Sequence, residues 1–248
     1  MGSRNSESRE HILHIKTATE MMLRQLVKVT DAYPLTEADI ALITTASSLH
    51  DIGKIRIPEE ILNKPGRLTA EEFAVIKGHS MAGANMLSEL PLDQKEEPLV
   101  KTAYEICRWH HERYDGGGYP DGLKGEEIPV SAQVVALADV YDALTSERCY
   151  KDAYSHEKAI EMILAGQCGA FNPLMLECLL DISSSLKKKM GYKSKERYEQ
   201  TDLSDIASRF HDFEMDSSEK IVQQLEFERM RYNFLAEGSR NIVFTYTI

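Results

Sequence analysis

The chain has 248 residues, 42% of them hydrophobic, and a formal net charge of −11. This is enough apolar content for one sizeable domain with appendages, while the acidic balance excludes non-specific binding to double-stranded nucleic acid, which needs a basic face. No apolar run approaches the roughly 20 residues of a membrane-crossing helix, no secretory signal opens the chain, and Cys107, Cys149, Cys168 and Cys178 lack CxxC spacing, so they read as reduced thiols of a cytoplasmic protein.

Nearly every segment has helical periodicity. Residues 11–29 carry Ile12, Ile15, Met22, Leu23 and Leu26, and Pro34 breaks the pattern. Thr36 with Asp39 forms a capping-box pattern before a helix through Ile40, Ile43, Ala46 and Leu49, with His50-Asp51 near its end. Thr69 with Glu72 starts another helix, through Phe73, Ile76 and His79. A fourth spans about 97–112, with Leu99, Ala103, Ile106 and Trp109, and reaches His110-His111. A fifth runs from Ser131 to Ser146 and bears Val134, Leu137, Ala138 and Tyr141. Ser155 caps a sixth; Asn172-Pro173 starts a seventh, and Gly191 can stop it.

The character then changes. Residues 191–217 read as a polar linker. Residues 218–236 read as a connecting helix and a candidate dimerisation element, with Ile221, Leu225 and Phe234 as apolar points. Ile242 to Ile248 is β-branched and aromatic, hence strand-like, and reads as the entry into a further domain.

Chemistry-bearing residues accumulate at the helix ends. His50, Asp51, His79, His110, His111 and Asp139 each lie at the end or on the apolar side of a helix. One His-Asp pair alone is more often structural. Six buried polar groups without partners would be very costly, and metal coordination satisfies them. Imidazole with carboxylate suits Fe, Mn, Zn or Ni better than Ca or Mg. An adjacent His-Asp pair can bind one ion through His50 and bridge to a second through Asp51. His11 follows the apolar line of Ile15, Ala18, Met22 and Leu26, so it is the preferred ligand of the first helix, with His14 as its neighbour. Glu7 precedes His11 by one turn and can face the same ion; a solvated glutamate in a frayed terminus is the competing reading.

Lys54, three residues after Asp51, can set an ammonium beside a phosphate. Arg148 and Lys151 can clamp a phosphate or stack on a base. Alone, each of these cations is more often a solvated charge. Gly116-Gly117-Gly118 permits positive φ and close approach, and Tyr119-Pro120 fixes the exit of that loop. Asp142, one turn after Asp139, reads equally as a proton-traffic or orienting group and as an exposed acidic neighbour.

The segments His50-Asp51-Ile52-Gly53-Lys54, His79, His110-His111-Glu112, Asp115-Gly116, Gly118-Tyr119-Pro120 and Asp139-Val140-Tyr141-Asp142-Ala143-Leu144-Thr145 closely resemble the HD-GYP domain, a subgroup of the HD metal-dependent phosphohydrolases. The resemblance implies an all-α, HD-type helical bundle over residues 5–190 around a multinuclear centre of two or three divalent ions, Fe or Mn. It implies His11, His50, Asp51, His79, His110, His111 and Asp139 as ligands, Asp51 as the bridge, and Glu7 as the mark of a trinuclear variant. It assigns Lys54, Asp51 and Asp142 to catalysis, and Arg148, Lys151 and the Gly118-Tyr119-Pro120 loop to the substrate. The implied reaction is hydrolysis of cyclic di-GMP to pGpG, GMP or both, in bacterial second-messenger and two-component signalling. Flanking receiver and PAS-like domains are expected of the full-length protein. Two positions depart from the family pattern: Ser80 stands where many members have proline, and Asn172 where many have aspartate.

Two other readings remain open. One is a catalytically silent cyclic di-GMP sensor. The other is an HD hydrolase of another cyclic dinucleotide.

Overall fold

The computed structural model describes residues 9–147 and 153–190, and among these every regular element is helical. Glu7, Arg148, Lys151, and the linker and connecting-helix readings for 191–248 lie outside the described residues.

Helix α1 (Arg9–Val29) buries Ile15, Ala18, Met22, Leu23 and Leu26, the stripe read from the sequence. Helix α2 (Glu37–Ala46) starts on a capping box: the Thr36 hydroxyl accepts from Asp39 N, and Asp39 Oδ2 accepts from Thr36 N. A four-residue helix α3 (Glu59–Leu62) precedes α4 (Ala70–Ser88), which opens on the reciprocal pair of Thr69 and Glu72. The short α5 (Leu92–Lys95) leads into α6 (Pro98–Trp109), with proline in its first turn, where no amide hydrogen is needed. Helices α7 (Val130–Thr145), α8 (His156–Leu164) and α9 (Pro173–Met190) complete the described bundle.

Helix α7 is the axis of the fold. Thirteen of its sixteen residues are buried, so it has no solvent face and its polar side chains must find partners inside. Helix α1 packs on α9, α7 and α2; α6 packs on α4, α2 and α7. The core they share holds Ile15, Met22, Leu26, Ile106, Leu137, Tyr141 and Leu179.

Several expectations need correction. The helix read through Leu49 ends at Ala46 and tightens into a 3-10 turn, Ser47–Leu49. Helix α6 stops at Trp109, so the two histidines follow it rather than ride on it. Leu99, expected on the buried face, is 37% exposed in the first turn of α6. Helices α3 and α5 and the 3-10 segment Ile52–Arg56 had no apolar repeat to announce them, because five residues or fewer cannot display one.

Gly53 fixes how the 3-10 segment seats on α4. A Cβ there would stand 1.9 Å from the carbonyl oxygen of His79 and 2.4 Å from the nitrogen of Gly83. Both are helix backbone and cannot yield. Gly53→Ala should therefore cost about 2–3 kcal/mol, as overpacking does, and lower Tm by several degrees in a thermal melt. Gly78→Ala, on the same helix with open space at its Cβ, should leave Tm unchanged or raise it, since alanine favours a helix interior by about 0.8–1 kcal/mol.

His156, in the first turn of α8, is a buried polar member of the core. Its Nδ1 meets the Tyr141 hydroxyl at 2.6 Å and its Nε2 is buried without a partner. Burial pushes its pKa down to about 4. Below about pH 6.5 the unfolded chain takes up a proton that the folded chain refuses. The contribution of His156 is thus complete above pH 6.5 and declines towards pH 4, by at most about 1.4 kcal/mol per pH unit. The Tm loss between pH 7 and pH 5 should be smaller in His156→Gln than in the parent chain.

Candidate metal centre

Five separate parts of the chain deliver the candidate ligands to one place. Helix α1 carries His11 and His14, the corner after α2 carries His50 and Asp51, and α4 carries His79. The end of α6 is followed by His110 and His111, and α7 carries Asp139 and Asp142.

The hydrogen bonds of the rings decide which nitrogen points inward. His50 Nδ1 lies 2.9 Å from Ser47 O, His79 Nδ1 2.7 Å from Ile76 O, and His110 Nδ1 2.8 Å from Ile106 O. His11 Nδ1 lies 2.7 Å from Asp142 Oδ2. Carbonyl and carboxylate oxygens only accept, so in each ring Nδ1 carries the hydrogen and donates. In the neutral ring Nε2 is then a bare lone pair. Burial keeps His110 neutral, with its pKa pushed down to about 3, and holds His111 well below the usual range.

Those bare nitrogens face one another. His11 Nε2 and His50 Nε2 are 3.4 Å apart, as are His79 Nε2 and His110 Nε2. Neither pair is a hydrogen bond, because neither partner has a proton to give. Asp51 Oδ1 sits 3.0 Å from His79 Nε2, yet this buried oxygen has no hydrogen-bond partner, nor has His111 Nε2. Acceptors crowded against acceptors would repel. A cation among them converts repulsion into coordination. With metal–ligand distances of about 2.1 Å, adjacent ligand atoms stand about 3–3.5 Å apart, which is the spacing seen here. The donor set fits a divalent transition metal.

Two groups of ligand atoms result, each within 4.8 Å: Asp51, His79, His110 and His111 in one, His11, His50 and Asp51 in the other. Asp51 belongs to both. Its Oδ2 is 3.1 Å from His50 Nε2 while Oδ1 turns to His79. Asp139 Oδ1 lies 3.9 Å from both His11 Nε2 and His50 Nε2, so it extends the second group. Burial opposes the charge on Asp51, but the Lys54 ammonium beside it holds its carboxyl well below the usual carboxylate range. Lys54 Nζ contacts Asp51 Oδ2 at 2.5 Å.

Asp142 stands behind the ligands. It accepts from His11 Nδ1, His14 Nδ1 and Ser146 Oγ, and despite burial these bonds hold its pKa low. This is the arrangement of an orienting group; both rings donate to it alike, and of the two only His11 falls in a candidate ligand group.

The glycine run is used unevenly. Gly116 takes φ +82°, whereas at Gly118 a Cβ would meet Arg113 N at 2.3 Å. Gly117 has neither a positive φ nor a clash with backbone. The Tyr119-Pro120 bond is cis, and the Tyr119 ring stacks on His111 with centroids 4.8 Å apart. Glu112, not singled out as a functional residue, anchors this loop: buried, its Oε1 accepts from Asp121 N and Gly122 N at 2.7 and 3.0 Å. Its position directly after the double histidine was the available signal. Of the two departures, Ser80 donates to Lys77 O within an unbroken α4. Asn172 Nδ2 donates to Gln133 Oε1 and Tyr33 Oη, which an aspartate could not do.

An HD domain family model matches residues 7–171. The chain belongs to the HD domain family and carries the motif set of its HD-GYP subgroup. It is 42% identical over 185 residues to a Vibrio cholerae cyclic di-GMP phosphodiesterase, covering 73% of this chain and 37% of that protein. It is 39% identical to a Thermotoga maritima cyclic di-GMP phosphodiesterase, covering 64% and 42%, and 36% identical to a Vibrio cholerae 3′3′-cGAMP-specific phosphodiesterase, covering 72% and 32%. The chain thus spans well under half the length of these curated relatives. In fold it is similar to Bd1817, an HDG"Y"P protein from Bdellovibrio bacteriovorus (TM-score 0.53, 21% identity, 73% of this chain and 55% of that one). No helix among the described residues is long and apolar enough to cross a membrane.

The shared position of Asp51 makes a specific prediction. Asp51→Ala should abolish binding at both groups. His79→Ala should weaken one group only, so metal analysis should find intermediate content.

Proposed function

We propose that this chain is a metal-dependent phosphodiesterase that hydrolyses cyclic di-GMP to pGpG, GMP or both. The observation that carries the reading is the convergence of four proton-free Nε2 atoms on the two oxygens of Asp51. His11, His50, Asp51 and Asp139 would hold one divalent ion, and Asp51, His79, His110 and His111 a second. Iron or manganese is proposed, with Glu7 as the residue that would add a third site. Such ions supply Lewis acidity, lowering the pKa of a water and neutralising charge on the phosphate.

The protein groups have distinct tasks. Lys54 stands beside Asp51, where its ammonium can meet charge that develops on the phosphate and leaving oxygens. Asp142 keeps the His11 ring turned so that Nε2 faces the centre. Glu112 and the Gly118-Tyr119-Pro120 loop wall the side next to His111, and Arg148 and Lys151 are proposed to grip the dinucleotide. The named relatives support this substrate class. Among them are 3′3′-cGAMP-specific enzymes, which makes that dinucleotide the second reading. Receiver or PAS-like flanking domains, a cytoplasmic setting and dimerisation through 218–236 are proposed for the whole protein.

Reconstituted anaerobically with Fe(II) or Mn(II), the chain should hydrolyse cyclic di-GMP with a higher kcat/KM than 3′3′-cGAMP. Lys54→Met should lower kcat by about 10²-fold or more while metal content is retained. Full metal loading without turnover would move the assignment to a silent sensor.

A further inference from the structure

Lys77 is a cation that the proposed reaction has not used. It lies on α4, half-buried, in a chain of net charge −11. No described carboxylate pairs with it. Its Nζ instead lies 4.9 Å from the ring centroid of Phe73 and 5.1 Å from that of Tyr119. Such contacts hold an ammonium by the ring quadrupoles without neutralising it. Tyr119 in turn stacks on His111, which puts Lys77 Nζ within about 10 Å of that imidazole. An ammonium that no described carboxylate neutralises is thus braced by two aromatic rings, one of which stacks on His111 of the ligand group.

Lysine is a compact point charge suited to phosphate. A cyclic dinucleotide carries a second phosphodiester across its ring from the scissile one. Once one phosphate is at the ligand cluster, the other must lie a short distance away along its wall. We propose that Lys77, braced by Phe73 and Tyr119, binds the non-scissile phosphate of the cyclic dinucleotide, and so favours substrates with two phosphodiesters over mononucleotides. The inference rests on the cyclic dinucleotide reading above, though not on turnover.

The experiment is isothermal titration of the metal-loaded chain with cyclic di-GMP and, separately, with GMP, which has a single phosphate. Lys77→Met should weaken cyclic di-GMP about tenfold, the size of a lost charge-assisted contact, and change GMP less than twofold. Lys77→Arg should recover most of the loss. An unchanged Kd for cyclic di-GMP in Lys77→Met overturns the proposal, and so does an equal loss for both ligands, which would mark general damage. Turnover assayed alongside separates the two ideas. A parent chain that binds cyclic di-GMP without cleaving it refutes the hydrolase reading alone, and the Kd comparison still decides Lys77. A parent chain that does not bind cyclic di-GMP refutes both.

Discussion

Imidazole lone pairs that face each other across 3.4 Å, with a carboxylate oxygen set against them and no proton between, need positive charge in their midst. Much of the molecule serves that constraint. Backbone carbonyls of Ser47, Ile76 and Ile106 take the Nδ1 hydrogens of three rings, and Asp142 takes that of the fourth. Each ring is thereby locked in one tautomer and one orientation. Second-side hydrogen bonds of this kind are what orient an imidazole for coordination through its other nitrogen.

The location of the cluster follows from burial. Helix α7 has almost no solvent face, so Asp139 and Asp142 lie inside the bundle. Charges there are tolerated only with close partners. His11 and His14 supply them from α1, and the corner carrying His50 and Asp51 is seated by the absence of a side chain at Gly53. The centre is therefore built between helices that also form the core, which gives the ligands rigid supports.

Charge is arranged on two scales. The chain as a whole is acidic, while Lys54 stands against Asp51 at the cluster and Lys77 lies against Phe73 and the Tyr119 ring that stacks on His111. A small anion is drawn by local charge, not by the net value. The loop from Gly116 to Gly122 links these features, since Tyr119 touches both His111 and Lys77 while Glu112 pins the loop's far end.

The amino-acid sequence alone determined the long helices, because capping pairs such as Thr36–Asp39 and Thr69–Glu72 and the apolar stripe of α1 are local patterns. It also determined which residue types gather, because His-Asp and His-His pairs at helix ends are visible in one dimension. What lacked local pattern was hidden: the helices of four residues, the loop-anchoring part of Glu112, the outward turn of Leu99, and Lys77 beside Tyr119, residues 42 positions apart. Only the tertiary structure decided which ring nitrogen faces the centre and which oxygen of Asp51, already read as a bridge, turns to which group. Those outcomes depend on carbonyls, carboxylates and ring faces brought together from distant segments by packing, and no spacing along the chain encodes them.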